Sequence, residues 1–335
     1  MILVTGATGL VGTHLLVKLV QQKEPIRALY RSDQKKAYAK KVFSYYFPHD
    51  NNLFDNIDWI QADINDIPSL SAAFNQVTYV YHCAAKISFN PAHYKKLRKV
   101  NIEGTANIVN LCLIHNVKKL CYVSSIATLG ESITGKHIDE SEEWNPEIPN
   151  SVYAITKYGA EMEVWRGVQE GLDAVIVNPG IIIGPGFFDG GSGFLFKRIY
   201  AGMNYYTTGT SGFVSVIDVI NTMFMLMNSN CTNERYILVA ENLNYQSAFS
   251  MIAKGLKKPA PTKEASPFMM KIAYYVQRIS HVLFRTKQSI FKSSIRSAFS
   301  NSYYTNDKIK SELNYEFNPI EKAIEETATL FLKGF

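Results

Sequence analysis

The sequence predicts an α/β fold, a Rossmann-type doubly wound parallel sheet with a smaller, mostly helical C-terminal lobe. Three observations lead there. Over the first 180 residues, short β-branched runs alternate with longer amphipathic segments, the pattern of parallel strands covered by helices on both faces. A turn with glycines at Gly6, Gly9 and Gly12 separates the first strand from the first helix. The alternation then stops after Pro179, where Gly184-Pro185-Gly186 and Gly190-Gly191-Ser192-Gly193 read as loop.

In order, strands are expected at 2–4, 26–30, 58–60, 79–82, 119–124 and 174–178. Helices are expected at 13–21, 100–115 and 152–169. Residues 1–177 are expected to form the dinucleotide-binding domain. Segment 214–240, with a strand at 235–239, returns to it. Residues 178–213 and 241–335 form the substrate lobe, with helices at 268–284 and 319–332. In such a sheet, ligands sit beyond the carboxyl ends of the strands.

At 335 residues, 47% hydrophobic and 19% charged, the chain has the makings of a sizeable core and lacks the signature of disorder. Cys83, Cys112, Cys121 and Cys231 are widely spaced and mostly within apolar runs, so they read as reduced thiols with no disulfide framework and no metal site. The opening Ile2-Leu3-Val4 leaves no room for a secretory signal, and a cytoplasmic location is expected. No apolar run is long enough to span a membrane. Net charge is +6, yet residues 254–296 carry ten Lys/Arg against Glu264 alone, so the rest of the chain is slightly acidic. That stretch reads as a solvated face, or as a site for an anionic substrate or weak peripheral contact with a membrane surface. No nucleic-acid motif accompanies it, so nucleic acid is not an expected partner.

The run Thr5-Gly6-Ala7-Thr8-Gly9-Leu10-Val11-Gly12 follows the first strand and opens a helix. The first glycine permits the tight turn, the second lets backbone N–H groups approach a pyrophosphate, and the third lets helix and strand pack closely. At the end of the second strand, where NAD-preferring folds commonly place an acid against the ribose 2′-hydroxyl, Tyr30 stands instead, followed by Arg31, Lys35 and Lys36. This charge suits a 2′-phosphate, so NADP(H) is the expected cofactor and NAD(H) the alternative.

Several further motifs occur in order: Ala62-Asp63-Ile64, YHCAA ending at Ala85, VNIEGT containing Asn101, YVSS ending at Ser125, Tyr153-x-x-x-Lys157, and Asn178-Pro179-Gly180. Together with the glycine turn and FVSVIDV at 213–219, they make the chain resemble the extended short-chain dehydrogenase/reductase superfamily, the NAD-dependent epimerase/dehydratase family, over nearly its whole length. The resemblance implies that Asp63 holds the adenine amino group with Ile64 beside it. It places His82, Ala84 and Ala85 along the dinucleotide, and Asn178, Pro179, Gly180 and Ile181 near the nicotinamide. It also implies that Ser125, Tyr153 and Lys157 are catalytic, that Lys157 orients the ribose, and that Asn101 holds a relay water. A Tyr/Lys pair four apart shares a helix face, and an ammonium beside a phenol favours the phenolate. The second such pair, Tyr304 and Lys308, lacks the preceding Ser124-Ser125 strand and reads as a surface-helix coincidence. Ser125, aligned on Gly130, holds the family's catalytic position, with Ser124 one place early.

Dehydratases of this superfamily carry an Asp-Glu pair after the catalytic hydroxyl; Ile126-Ala127 stands here and cannot do acid/base work. The sequence around Asn178 and Arg31 is most similar to the dihydroflavonol-reductase and aldehyde-reductase branch. The expected activity is therefore NADP(H)-dependent reduction of a ketone or aldehyde on a fairly apolar small molecule, the partner being a carbonyl or alcohol substrate. A sugar-nucleotide epimerase and a non-catalytic nucleotide-binding regulator are the alternatives, and a homodimer is left open. Phe187, Phe188, Phe194, Phe196, Tyr205, Tyr206, Tyr274 and Tyr275 are candidate pocket walls.

Overall fold

The computed structural model describes the chain apart from Lys23, Asn51, residues 131–136, Thr286, Lys287, Ser289 and Phe335. Lys287 of the basic run thus lies outside the described residues. The chain begins with β1 (Ile2–Thr5), α1 (Leu10–Leu19), β2 (Ile26–Tyr30), α2 (Asp33–Tyr46), α3 (Asn52–Asp55), β3 (Asp58–Gln61), α4 (Ile67–Ala73) and β4 (Tyr79–His82). It continues with α5 (Tyr94–Leu97), a π-helical stretch at Arg98–Glu103, α6 (Gly104–Ile114), β5 (Lys119–Val123), α7 (Val152–Gln169) and β6 (Ala174–Pro179).

The second half contains β7 (Ile181–Ile183), α8 (Gly193–Tyr200), β8 (Tyr205–Tyr206), β9 (Thr210–Ser215), α9 (Val216–Met227), β10 (Glu234–Leu238), β11 (Glu241–Asn244), α10 (Tyr245–Gly255) and β12 (Lys263–Glu264). Four helices close the chain: α11 (Pro267–Phe284), α12 (Lys292–Phe299), α13 (Asp307–Leu313) and α14 (Ile320–Leu332). Among the described residues, no helix is long and apolar enough to cross a membrane.

The large sheet has seven strands in the order β10-β6-β5-β4-β1-β2-β3, all parallel. Val4 of β1 lies between Ala28 of β2 and Tyr81 of β4. Because the chain winds outward from β1 in one direction and then resumes at β4 on its other side, the loops after β1 and β4 diverge and leave a crevice. Side chains alternate across the sheet as strand geometry requires. Leu3, Val80, Leu120 and Ile176 pack on one face with Ile108 of α6 and Val164 of α7, and Val4, Tyr81, Cys121 and Val177 pack on the other with Leu16 of α1 and Met223 of α9. All six residues of β6 are buried, which explains its apolar run from Ala174 to Val177.

After Pro179 the structure is more regular than the sequence suggests. β7 pairs in parallel with β9, and β11 pairs antiparallel with β9, in a second sheet. Three-residue β7 is too short to show a period, and the glycines around α8 mask its amphipathic run. Segment 214–240 supplies α9, which packs with the first core beside α1, and β10, which completes the large sheet. A separate core of Phe188, Phe196, Phe213, Phe249, Ile252 and Ile324 fills the smaller lobe.

Asp218, fully buried near the start of α9, ties the two halves together. It accepts hydrogen bonds from Ser215 Oγ (2.9 Å), Tyr315 OH (2.7 Å), and the backbone and side chain of Asn318 (3.1 and 2.6 Å). Helix α11 is different, for none of its residues is buried. The helix expected for Tyr304 and Lys308 is corrected: Tyr304 bridges Ile138 in an extended segment, and only Lys308 lies in α13.

Candidate active site

The glycine turn sits at the carboxyl end of β1, in the crevice. Gly6 has φ of 65°, and a Cβ there would meet Ala84 N and the Cys83 carbonyl carbon at 2.6 Å, so the turn and the loop after β4 touch backbone to backbone. A Cβ on Gly12 would lie 2.2 Å from Gly6 O. Gly9 is open: its nearest neighbour would be Gly6 O at 3.4 Å. Helix α1 starts at Gly9 with no side-chain cap and no acidic residue in its first turn. Thr8, Leu10 and Val11 are partly exposed around it, as are Ala84 and, more fully, Ala85 on the facing loop. This bare helix end, with room at Gly9, fits the pyrophosphate of a dinucleotide.

Thr5 and His82 are fully buried beneath this surface. Thr105 Oγ1 donates to Asn101 O, so it must accept from His82 Nε2 at 2.9 Å; Thr5 Oγ1 then donates to His82 Nδ1 at 2.6 Å and accepts from Ala84 N at 3.3 Å. Burial, then the nearby Lys157, lowers the imidazole to about 3, so it is neutral and passes a fixed hydrogen-bond polarity from α6 to the glycine turn. Ile64 is also buried, against Gly104, where a Cβ would meet its Cδ1 at 2.5 Å.

Arg31 and Asp63 stand together at the open end of the crevice, 3.7 Å apart and half exposed. Burial alone would raise the Asp63 carboxyl, but hydrogen bonds from the backbone and side chain of Asn65, aided by Arg31, hold it below its usual range. Lys36 turns away, over the rings of Tyr30 (4.9 Å) and Trp59 (5.3 Å). A residue that the sequence reading missed, Lys86, joins this group from the loop after β4. Burial lowers its pKa, as do the charges of Lys96, Arg31 and Lys35. Cations from three segments thus bear on one space, the condition under which an anion is held.

The two serines after β5 part company. Ser124 Oγ donates to the buried carboxylate of Glu161, which also receives Thr128 Oγ1 (2.8 Å), Asn178 Nδ2 (3.0 Å) and Arg235 Nη1 (3.2 Å). Asn178 is fully buried in this cluster and its amide also donates to Ser125 O, so it braces the site from below rather than lining it. Pro179 and Gly180 follow at the strand end, with Gly180 N bound to Leu238 O and Ile181 paired with Phe213.

Ser125 Oγ accepts from Ala127 N at 3.2 Å, and its hydrogen bond with Tyr153 opposes the upward shift that burial imposes on the phenol. The ring of Phe89, on the loop after β4, meets the Tyr153 ring edge-on at 5.7 Å. Lys157 Nζ donates to Tyr122 OH at 2.6 Å and to Val123 O at 2.7 Å. Burial lowers Lys157 to about 7, with Glu161 and Cys83 opposing. Its ammonium is engaged on β5, and desolvation dominates Tyr153.

Asn101 lies in the π-helical stretch, a conformation frequent at functional sites. Its Oδ1 accepts from Lys86 N (2.7 Å), and its Nδ2 donates to Lys86 O and Thr156 Oγ1 (3.1 Å each). The side chain thus joins the loop after β4 to α7. Of the aromatic residues read as pocket walls, Phe188 and Phe196 are lobe core, and Phe194, Tyr205 and Tyr275 are exposed. Tyr274 lines a cavity of about 430 Å³ with Pro91, Val152, Arg278 and Phe291. None of Ser125, Tyr153 and Lys157 lines it; it lies beside the start of α7.

Residues 2–238 match the model of the NAD dependent epimerase/dehydratase family. A protein of Synechocystis sp. (strain PCC 6803) named "Putative dihydroflavonol 4-reductase" is 27% identical over 98% of this chain and 93% of its own length. Sterol demethylase protein B of Methylococcus capsulatus is 26% identical over 80% and 78%. Among solved structures, UDP-glucose 4-epimerase of Thermotoga maritima, crystallised with UDP-glucose, superposes with a TM-score of 0.78 at 20% identity, covering 99% and 98% of the two chains. The fold and the family match agree: the chain belongs to the NAD-dependent epimerase/dehydratase family and is an NAD(P)-dependent oxidoreductase of the extended short-chain dehydrogenase/reductase type.

Proposed function

We propose that this enzyme reduces a ketone or aldehyde on a fairly apolar small molecule, with NADP(H) as its preferred cofactor. The observation that carries the reading is the half-buried Tyr153 phenol set against Ser125, which opposes the upward shift of its pKa, with Lys157 one helical turn further along α7. NADPH, when bound, supplies hydride to the carbonyl carbon. Gly6, Thr8, Gly9, Leu10, Val11 and Gly12 would hold its pyrophosphate, Asp63 its adenine, and Arg31 with Lys86 its 2′-phosphate. Ala84, Ala85, Gly180 and Ile181 would border the rest.

The chain's own part is proton and charge placement. Burial keeps Tyr153 protonated at neutral pH, the form needed to give a proton to the carbonyl oxygen during reduction. The backbone N–H of Ala127 occupies a lone pair of Ser125 Oγ, leaving its proton to stabilise the same oxygen as charge develops. Lys157, poised near neutrality by burial, balances charge at the base of the site. The relatives named as reductases support the reductase reading, and the absence of an acid after β2 supports NADP(H) over NAD(H).

The test is NADPH oxidation with a panel of aryl and alicyclic carbonyl compounds, alongside NADH and a Tyr153→Phe variant. Turnover that prefers NADPH and falls at least about a hundredfold in the variant supports the reading. Interconversion of sugar nucleotides without net NADPH loss would assign an epimerase. NADPH binding with no turnover of either class would assign a nucleotide-binding regulator.

A further inference from the structure

Helix α11 combines three properties that belong together only at an interface with lipid. Its outward face is a continuous apolar stripe: Phe268, Ile272, Tyr275, Ile279 and Val282 recur at alternating spacings of four and three residues, so they share one side of the helix. Phe268 is 71% exposed, Ile279 59% and Val282 73%. The partly buried residues, Met270, Ala273, Tyr274, Gln277 and Ser280, lie on the opposite side. The helix therefore rests on the protein by its more polar edge and offers its apolar face to the surroundings, the reverse of an ordinary surface helix.

The second property is charge. From residue 265 to residue 306 there is no acidic residue, while Lys271, Arg278, Arg285, Lys287, Lys292 and Arg296 are basic. Lys271 and Arg278 are seven residues apart, two turns along the same edge of α11. A second copy of this chain packing through the same face would bring like charges together with no carboxylate to meet them. An anionic surface meets both the apolar stripe and its basic margin. The third property is position, since Tyr274 and Arg278 also line the cavity beside the start of α7, to which Val152, the chain neighbour of Tyr153, contributes as well.

We propose that α11 is a membrane-docking helix, lying in the plane of an anionic bilayer surface with Phe268, Ile272, Tyr275, Ile279 and Val282 sunk among the acyl chains. Its two turns of basic margin reach the phosphate layer, and the cavity beside the start of α7 then lies near the lipid. The inference stands apart from the reductase reading, because its test measures binding and not turnover.

That test is flotation of the full chain with phosphatidylcholine vesicles, with and without phosphatidylserine, at low and raised salt. The wild type is expected to float with the anionic vesicles, more weakly as salt rises. Ile272→Ser combined with Ile279→Ser, both exposed positions, should lower the floated fraction about tenfold while leaving the circular dichroism spectrum unchanged. Lys271→Glu should lower binding to anionic vesicles more than to neutral ones. Wild-type protein that stays unbound even at low salt overturns the proposal, as does a double-serine variant that floats like the wild type. A dimer that this double variant converts to monomer, with no vesicle binding by either, would assign the face to a second copy instead.

Discussion

The ammonium of Lys157 is held 2.6 Å from the hydroxyl of Tyr122 and 4.3 Å from the centre of its ring. Tyr122 is fully buried, and burial pushes its phenol well up, with Glu161 and Tyr153 adding to the rise, so it remains a neutral hydrogen-bonding group. It thus acts as a positioning residue for Lys157. Replacing it by Phe removes an acceptor of the ammonium and leaves it the Val123 carbonyl, at a cost of about 1–3 kcal/mol in stability. The same loss lowers the Lys157 pKa further. The alkaline limb of turnover should move to lower pH in Tyr122→Phe, with the cofactor KM little changed, as a pH–rate profile would show.

Lys157 also couples stability to pH. Its folded pKa, about 7, lies below the ordinary lysine value, so between those limits the unfolded chain binds the extra proton and stability from this group rises with pH. Lys157→Met should abolish that contribution. Denaturant unfolding of both proteins from pH 7 to pH 9 should show the wild type gaining stability relative to the variant. Parallel curves would contradict it.

At acid pH the buried imidazoles dominate. Burial lowers His82 to about 3 and His14 to about 4. Both groups stay neutral in the fold while the unfolded chain takes up protons below the usual histidine range, so stability falls as pH drops from about 6.5 toward 4, by up to about 1.4 kcal/mol per histidine per pH unit. His14→Gln should flatten the slope by about half that of the pair, measured by the same unfolding experiment.

Gly6 and Gly9 should respond differently to alanine. At Gly6 the positive φ and the 2.6 Å approach of Ala84 N make Gly6→Ala destabilising by more than about 1 kcal/mol. Gly9→Ala has room for its methyl in the protein, so the melting temperature should hold while dinucleotide affinity falls at least about tenfold. Thermal melts and cofactor titration separate the two effects.

Arg31→Ala should weaken NADPH binding by about 1.5–3 kcal/mol and leave NADH binding nearly unchanged, since only the phosphate loses a charge-assisted partner. Lys86→Ala should act in the same direction. Equal losses for both nucleotides would contradict the assignment of these cations to the 2′-phosphate.

Much of the dinucleotide half was legible because β1, β2 and α7 carry strong local signals: short, mostly apolar strands, the glycine turn, and Ser151 capping Ala154 N at 3.0 Å. The lobe was less so. Strands β7 and β11 are short and owe their existence to pairing with β9 across distant sequence, which periodicity does not register. In the site, Lys86 and Phe89 were missed because they sit in a loop whose course is set by Asn101, fifteen residues from Lys86. The burial of Thr5, His82 and Asn178 was not legible either, because it follows from hydrogen-bond partners far apart in the sequence.

Asp218 carries a consequence for how the molecule comes into being. Tyr315 and Asn318, about a hundred positions downstream, supply donors to its buried carboxylate. A growing polypeptide that has released only its first 300 residues has the helix bearing this acid and Ser215 but neither Tyr315 nor Asn318, and an underpaired interior charge is strongly unfavourable. Synthesis of the large sheet therefore finishes before its closure can, and a chain halted ahead of residue 315 would be open and protease-sensitive.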